Sequence, residues 1–276
     1  MLLNYRQYSS EGEPLLILHG LFGSLSNWGW HSKQLARDFA VYGVDLRNHG
    51  DSPHADAMDY QSMAADVKAL LAHLGIASCA IIGHSMGGKV AMQLALTEPQ
   101  LVDKLIVVDI APVTYTSKAD GHLKVMAGMR ALNLSMLGSR AEAEEFLEDY
   151  IEDEATRKFV VTNIVRDSDG GYRWRLNLDA IENHYDELRN KPVASQPFQG
   201  PTLFVRGDES NYVRKKHEAE ILELFPQAGV KSIMECGHWL HADKPKVFQK
   251  IAHNFLSATD VDAESGDESV RSEVVG

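Results

Sequence analysis

Cysteine is scarce in this chain. Cys79 and Cys236 are the only two in 276 residues, enough for one bridge at most, so neither a disulfide framework nor a cysteine-based zinc site is expected. Both are read as reduced thiols of a cytoplasmic protein. Long apolar runs are missing as well: the opening Met1 to Arg6 lacks the stretch of a secretory signal, and nothing approaches a membrane-spanning run of roughly 18 residues. Bases are outnumbered, with 27 Lys and Arg against 39 Asp and Glu and a net charge of −12. No basic cluster is interleaved with aromatics, and an acidic surface repels phosphate backbones, which excludes nucleic acid as a partner. Extremes of composition are lacking too: at 44% hydrophobic and 24% charged residues, the chain is neither collagen-like nor disordered throughout.

What is present is a rhythm of short apolar runs and helical segments. Pro14 to Leu18, Phe39 to Val44, Cys79 to Gly83, Leu105 to Asp109, Thr202 to Arg206 and Val230 to Met234 are mostly apolar without alternation, as in strands buried on both faces of a parallel sheet. Helical periodicity lies between them, over Trp28 to Arg37, Met63 to Leu74, Met86 to Thr97, Arg214 to Phe225 and Pro245 to Leu256. This order predicts an α/β fold with a mostly parallel central sheet flanked by helices. About ninety residues between Asp109 and Thr202 hold no convincing buried strand, and structureless loops of that length are uncommon. Leu123, Met126, Met129 and Leu132 mark an amphipathic helix there, followed by helical stretches over Glu142 to Tyr150, Thr156 to Ile164 and Leu178 to Leu188, with a turn at Gly170-Gly171. A helical cap over residues 113–196 is therefore expected, inserted between core segments 1–112 and 197–256. Residues 257–276 hold six acids against Arg271 and no aromatic, the composition of a disordered tail. No motif fixes an oligomeric state.

Gly83-His84-Ser85-Met86-Gly87 matches the nucleophile pattern G-x-S-x-G, with an apolar run before it and a helical segment after it. The sharp strand-to-helix turn strains the Ser backbone, and the flanking glycines let neighbouring backbone approach. A second element sits where the chemistry needs it: His19-Gly20-Leu21-Phe22-Gly23 directly follows the first apolar run. Amides of Leu21, or of Phe22, together with Met86 form a candidate oxyanion hole. The general base is sought among twelve histidines. His238, in Cys236-Gly237-His238-Trp239 between the last apolar run and the last helix, falls at the carboxyl edge of the sheet beside Ser85. His241 is its competitor, and His238, His241 and Asp243 are the one conceivable metal set, although nothing completes a zinc constellation. No cofactor or metal is expected. Phe22, His84 and Trp239 are candidate substrate contacts, with His84 read as packing or pocket lining.

Two carboxylates compete for the third role. The G-x-x-D position after the cap reads Gly207-Asp208-Glu209-Ser210, which offers Asp208 out of place, while Asp109 ends the strand that follows the helix after Ser85. Asp109 is preferred. Asp45 is read as ordering its loop with Arg47. Arg47 and Lys89 are read as surface or loop-ordering cations, with a carboxylate- or phosphate-bearing substrate as the alternative.

These stretches, HGLFGS (His19 to Ser24), VDLRNHGDSP (Val44 to Pro53), GHSMGGK (Gly83 to Lys89), VDIAPV (Val108 to Val113) and GHWLHADKP (Gly237 to Pro245), resemble the α/β-hydrolase fold and, within it, the small YbfF-type esterases. The resemblance implies a carboxylesterase acting on small acyl esters, with Ser85 as nucleophile, His238 as base and an acid drawn from the strand after the nucleophile helix, which agrees with Asp109. The same machinery serves acyl-CoA thioesterases and C–C bond hydrolases or lyases, and a non-catalytic small-ligand receptor on the same fold is the alternative of another class. Ser at position 85 sets the chain apart from fold relatives that use Asp as nucleophile. The Met and aromatic residues of the cap, Met126, Met129, Phe146, Tyr150, Phe159, Tyr172 and Trp174 among them, are read first as the cap's own core, with an apolar pocket for short to medium acyl groups as the alternative if they face the sheet.

Overall fold

The computed structural model describes residues 1–116 and 121–258. In chain order the elements of the first half are β1 (Tyr5–Gln7), β2 (Glu13–Leu18), α1 (Gly29–Leu35), β3 (Phe39–Val44), α2 (Tyr60–Leu74), β4 (Cys79–His84), α3 (Met86–Thr97) and β5 (Val102–Val108). Then come α4 (His122–Ala131), α5 (Arg140–Phe146), α6 (Glu154–Val161), β6 (Ile164–Arg166), β7 (Tyr172–Trp174), α7 (Leu178–Asn183) and α8 (Tyr185–Leu188). The chain closes with β8 (Thr202–Gly207), α9 (Glu218–Leu224), β9 (Ala228–Ile233), α10 (Leu240–Asp243) and α11 (Pro245–Ser257).

Seven strands form one sheet in the order β1-β3-β2-β4-β5-β8-β9. All pairs are parallel except β1 with β3. The expected α/β class and mostly parallel sheet are what the structure has. Parallel strands need crossovers on both faces, and two apolar clusters fill them. Ile81 and Val107 meet Met63, Val67 and Val90 of α2 and α3 on one face. Ile82 and Val108 meet Leu35 of α1 and Phe248, Ala252 and Leu256 of α11 on the other.

Several expectations shift at their edges. Helix α2 begins three residues before Met63 because Asp59 caps it, accepting the Ser62 amide at 2.7 Å, and it stops at Gly75 with φ 69°. Strand β1 has three half-buried or exposed residues, too few for a periodicity to register. Strand β9 is an edge, largely exposed rather than buried on both faces. The 3-10 turn Lys215–His217 replaces the first turn expected of α9.

Between β5 and β8 the described residues form short helices, plus the hairpin β6–β7, whose strands cover three residues each and turn through Gly170-Gly171. The hairpin adds two short strands to an insertion expected to be mostly helical. Met126, Met129, Leu147, Val160 and Ile181 of this stretch join the same cluster that α2 and α3 build against the sheet. The acidic segment expected to be a tail lies outside the described residues from 259 onward.

Candidate active site

Strands β4 and β5 run side by side, register-paired from Ile81 with Leu105 to His84 with Val108. Each is followed by one residue in the left-handed region: Ser85 has φ 52°, ψ −117°, and Asp109 has φ 50°. Such backbone costs an L-residue of order 1–3 kcal/mol and persists where the surroundings over-determine it. They do so here, since the Ser85 amide donates to the Val108 carbonyl at 3.0 Å and the Asp109 amide to the Val205 carbonyl at 2.8 Å. Close backbone approach requires two glycines. A Cβ on Gly87 would lie 2.4 Å from the His19 carbonyl oxygen, and one on Gly83 would lie 2.4 Å from that of Gly87.

His238 arrives on the loop between β9 and α10. Its Nδ1 donates to Asp109 Oδ2 at 2.7 Å, with Asp109 fully buried and His238 at 18% side-chain exposure. Of the two carboxylates left open by the sequence, Asp109 is the one that meets His238. Asp208 instead accepts the Cys236 amide at 3.3 Å. Ser210, which holds the G-x-x-D position, donates its hydroxyl to Asp109 Oδ2, and the Gly207 amide reaches Oδ1 at 3.3 Å. The end of β8 and the loop after it thus supply donors to Asp109. Three donors converge on the one carboxylate.

Tyr212 packs its ring 4.3 Å from that of His238. His84 lies on the other side, fully buried, with its ring 4.7 Å from His238 and its Nε2–H donating to the His238 carbonyl at 3.0 Å. Burial lowers the His84 pKa well below the usual imidazole range, with His241 and His238 adding to the effect. His241 stacks on Trp28 at 4.3 Å and 2°, and burial brings its pKa down to about 3. His241 is therefore a neutral core group. Among the described residues no three His, Cys, Asp or Glu side chains converge as a metal cluster.

The first apolar strand leads into the loop that faces Ser85. His19 Nε2 accepts the Leu46 amide at 3.0 Å, and His49 Nε2 accepts the Phe22 amide at 3.1 Å. The Phe22 N–H is therefore occupied, which leaves Leu21 of the two candidates. Leu21, Ser85 and Met86 line one cavity of about 40 Å³ together with Tyr60, Lys89, Tyr115, His122, Tyr185 and Tyr212. Of the candidate substrate contacts, Phe22 is buried with its ring 5.9 Å from His122, and Trp239 packs 4.5 Å from Phe159. Phe22, His84 and Trp239 all lie outside the lining of this cavity. Its aromatic wall, above all Tyr60, Tyr115, Tyr185 and Tyr212, was not singled out in the sequence, because residues from four separate segments meet only in three dimensions.

Two loop assignments change partner. Asp45 orders its loop by accepting the Leu25 and Asp51 amides and the Asn4 side chain at 2.7 to 2.9 Å. Arg47 does not join it, pairing with Asp66 at 2.6 Å instead. Neither Cys79 nor Cys236 is bridged; both are buried.

Comparison with known proteins follows this geometry. The sequence profile of the α/β hydrolase fold matches residues 13–245. The chain belongs to the α/β-hydrolase family. It is 40% identical over 250 residues to a protein of Mus musculus named sn-1-specific diacylglycerol lipase ABHD11, covering 88% of this chain and 80% of that one. It is 33% identical over 261 residues to esterase YbfF of Escherichia coli (strain K12), covering 93% and 100%. A solved marine microorganism esterase superposes with a TM-score of 0.91 at 41% identity, covering 93% of this α/β-hydrolase and 100% of its own chain. This α/β-hydrolase is accordingly an enzyme of the esterase/lipase group, as the YbfF-type resemblance implied. Among the described residues no helix is long and apolar enough to cross a membrane.

Proposed function

We propose that this chain is a serine carboxylesterase that hydrolyses short to medium acyl esters through an acyl-enzyme intermediate. The observation that carries the reading is the 2.7 Å contact of His238 Nδ1 with buried Asp109 beside the strained Ser85 turn. Asp109 holds the proton on Nδ1, so Nε2 is the free base. Ser85 Oγ attacks the acyl carbonyl as His238 Nε2 takes its proton. The Leu21 and Met86 amides then face the oxygen that becomes negative. As the tetrahedral species collapses, the C–O bond breaks and the leaving alcohol takes the proton from His238. Water repeats the sequence on the acyl-enzyme, giving the acid and restoring Ser85.

The size of the cavity supports a small acyl group, because 40 Å³ holds roughly three waters. Residues 113–196 act in this reading as the cap that forms the cavity's outer wall. A glycerolipid substrate is the second reading, favoured by relatives of 38 to 41% identity that bear the name sn-1-specific diacylglycerol lipase.

The deciding experiment is a p-nitrophenyl ester series from acetate to decanoate, run beside a diacylglycerol emulsion, with Ser85→Ala and His238→Ala as controls. Turnover that peaks at short or medium chains and vanishes in both variants is expected. Retained turnover in Ser85→Ala would sink the mechanism. Preference for the emulsion would transfer the assignment to the lipid reading.

A further inference from the structure

Lys89 lies one helical turn beyond Ser85 on α3 and is 1% exposed. Helical side chains lean toward the N-terminus, and that direction brings Lys89 into the lining of the Ser85 cavity. Its Nζ donates to the carbonyls of Val113 at 3.0 Å, Arg189 at 3.1 Å and Asn190 at 2.6 Å. These carbonyls belong to the two places where chain leaves and rejoins the sheet around the inserted stretch. No carboxylate pairs with the ammonium among the described residues; the faces of Tyr115 and Tyr60 sit 4.8 and 5.5 Å from it.

The same two segments are joined at other points as well. The Tyr115 amide donates to the Arg189 carbonyl at 2.9 Å and the Lys191 amide to Thr114 Oγ1 at 3.1 Å. Further along α3, the Gln93 side chain pairs with both backbone groups of Val193 at 2.8 Å. Lys89 contacts the outgoing and returning segments, the nucleophile helix and the cavity at once.

We propose that Lys89 is a positioning residue which, by tying both hinge segments of the inserted stretch to the nucleophile helix, sets the wall of the acyl pocket and so its chain-length selectivity. This rests on the esterase reading for the pocket's role, whereas the tether itself does not. All three N–H groups of an ammonium are used here, and a neutral amine has two donors and a lone pair that would confront the third carbonyl. Burial draws the Lys89 pKa down to about 7, while the three carbonyls and the two ring faces favour the charged form. The titratable and charged side chains facing it across the cavity are Tyr60 from α2, Tyr115, His122 from α4, Tyr185 from α8, Arg189 and Tyr212. Burial raises the hydroxyl pKa of Tyr60 and Tyr115 far above this range.

The test uses the full chain as Lys89→Met and Lys89→Arg, with amide hydrogen exchange and the p-nitrophenyl ester series. In folded Lys89→Met, exchange over residues 113–116 and 188–193 is expected to rise at least tenfold while that of α3 stays put. The ratio of kcat/KM for decanoate over acetate is expected to rise about tenfold, through KM more than kcat, with partial return in Lys89→Arg. Unchanged exchange in those segments, or a uniform fall of kcat/KM at every chain length, would overturn the proposal. Should Lys89→Met not fold, Lys89→Gln decides: exchange of the same segments must rise relative to α3, and unchanged exchange overturns the tether. Exchange is read without turnover, so an inert wild type with a tether that responds would refute the esterase reading and not the tether.

Discussion

The sheet core and the stretch between β5 and β8 are built differently. In the core, Ser85 and Asp109 follow adjacent paired strands and sit on backbone held from both sides. Among the described residues the inserted stretch has no helix longer than the ten residues of α4, and scattered polar contacts hold it to the core beside its apolar packing and the Asn177 amide on the Asn48 carbonyl at 2.9 Å. Asn163 donates to the Phe22 carbonyl at 2.7 Å, Arg175 to Ser24 Oγ at 3.1 Å, and Tyr60 to the Leu188 carbonyl. Short helices gain little from propensity and depend on packing. In the proposed reading, chemistry rests on the sheet core and selectivity on the inserted stretch.

The contrast breaks most sharply at the core end. Ser85→Ala, His238→Ala and Asp109→Asn are each expected to lower kcat by about 10⁴-fold, with thermal midpoints within a few degrees of wild type for the first two. Asp208→Asn is expected to change kcat less than twofold; a collapse in that variant alone would reassign the acid. Next comes Gly87→Ala, whose Cβ would meet the His19 and Leu18 carbonyl oxygens at 2.4 and 2.6 Å. Backbone cannot yield as a side chain does, so a loss of about 3 kcal/mol or more is expected in urea unfolding, with activity lost alongside.

Acid sharpens the comparison because the buried imidazoles cluster in the core. His49 and His241 have folded pKa values of about 3, brought down chiefly by burial, against about 6.5 unfolded. The unfolded chain binds the extra protons between those values, so the stabilisation is complete above about pH 6.5 and drains away as pH falls toward 3. Near pH 4.5 the expected loss is about 3 kcal/mol per imidazole, read as a falling thermal midpoint that His241→Phe flattens in part. At the inserted end, Asn163→Ala is expected to raise KM about fivefold, with kcat changed less than twofold, a loss of roughly 1 kcal/mol for one buried hydrogen bond. Met136→Ala, on a side chain 80% exposed, is expected to alter neither.

Core and insertion also differ in how far they could be read from sequence. Apolar runs located β2, β3, β4, β5 and β8 because strands buried on both faces write their burial without interruption. Ser85 and His238 were legible because a strand-turn-helix signature and a loop after the last strand are local features. Asp109 was legible as one of two candidates, and the choice depended on which strand end lies next to Ser85, a fact of sheet order. The β6–β7 hairpin escaped because three-residue strands carry no period. Lys89 reads as a surface cation by composition, and only the folding of residues 113 and 189–190 onto α3 shows it to be enclosed. Ser210 looked like a gap in the pattern; its hydroxyl on Asp109 is a contact between distant strands.

The paired left-handed residues at the tips of β4 and β5 have a consequence for redesign. Strand register places positions 85 and 109 as two neighbouring points, and the bend at each is enforced by amides and carbonyls whatever side chain is attached. A Cys or an Asp installed at 85 would inherit the same presentation to the cavity, the Leu21 and Met86 amides, and a partner imidazole already oriented from 109. The scaffold thus stores alignment in its main chain and leaves the identity of the attacking atom as an exchangeable fitting.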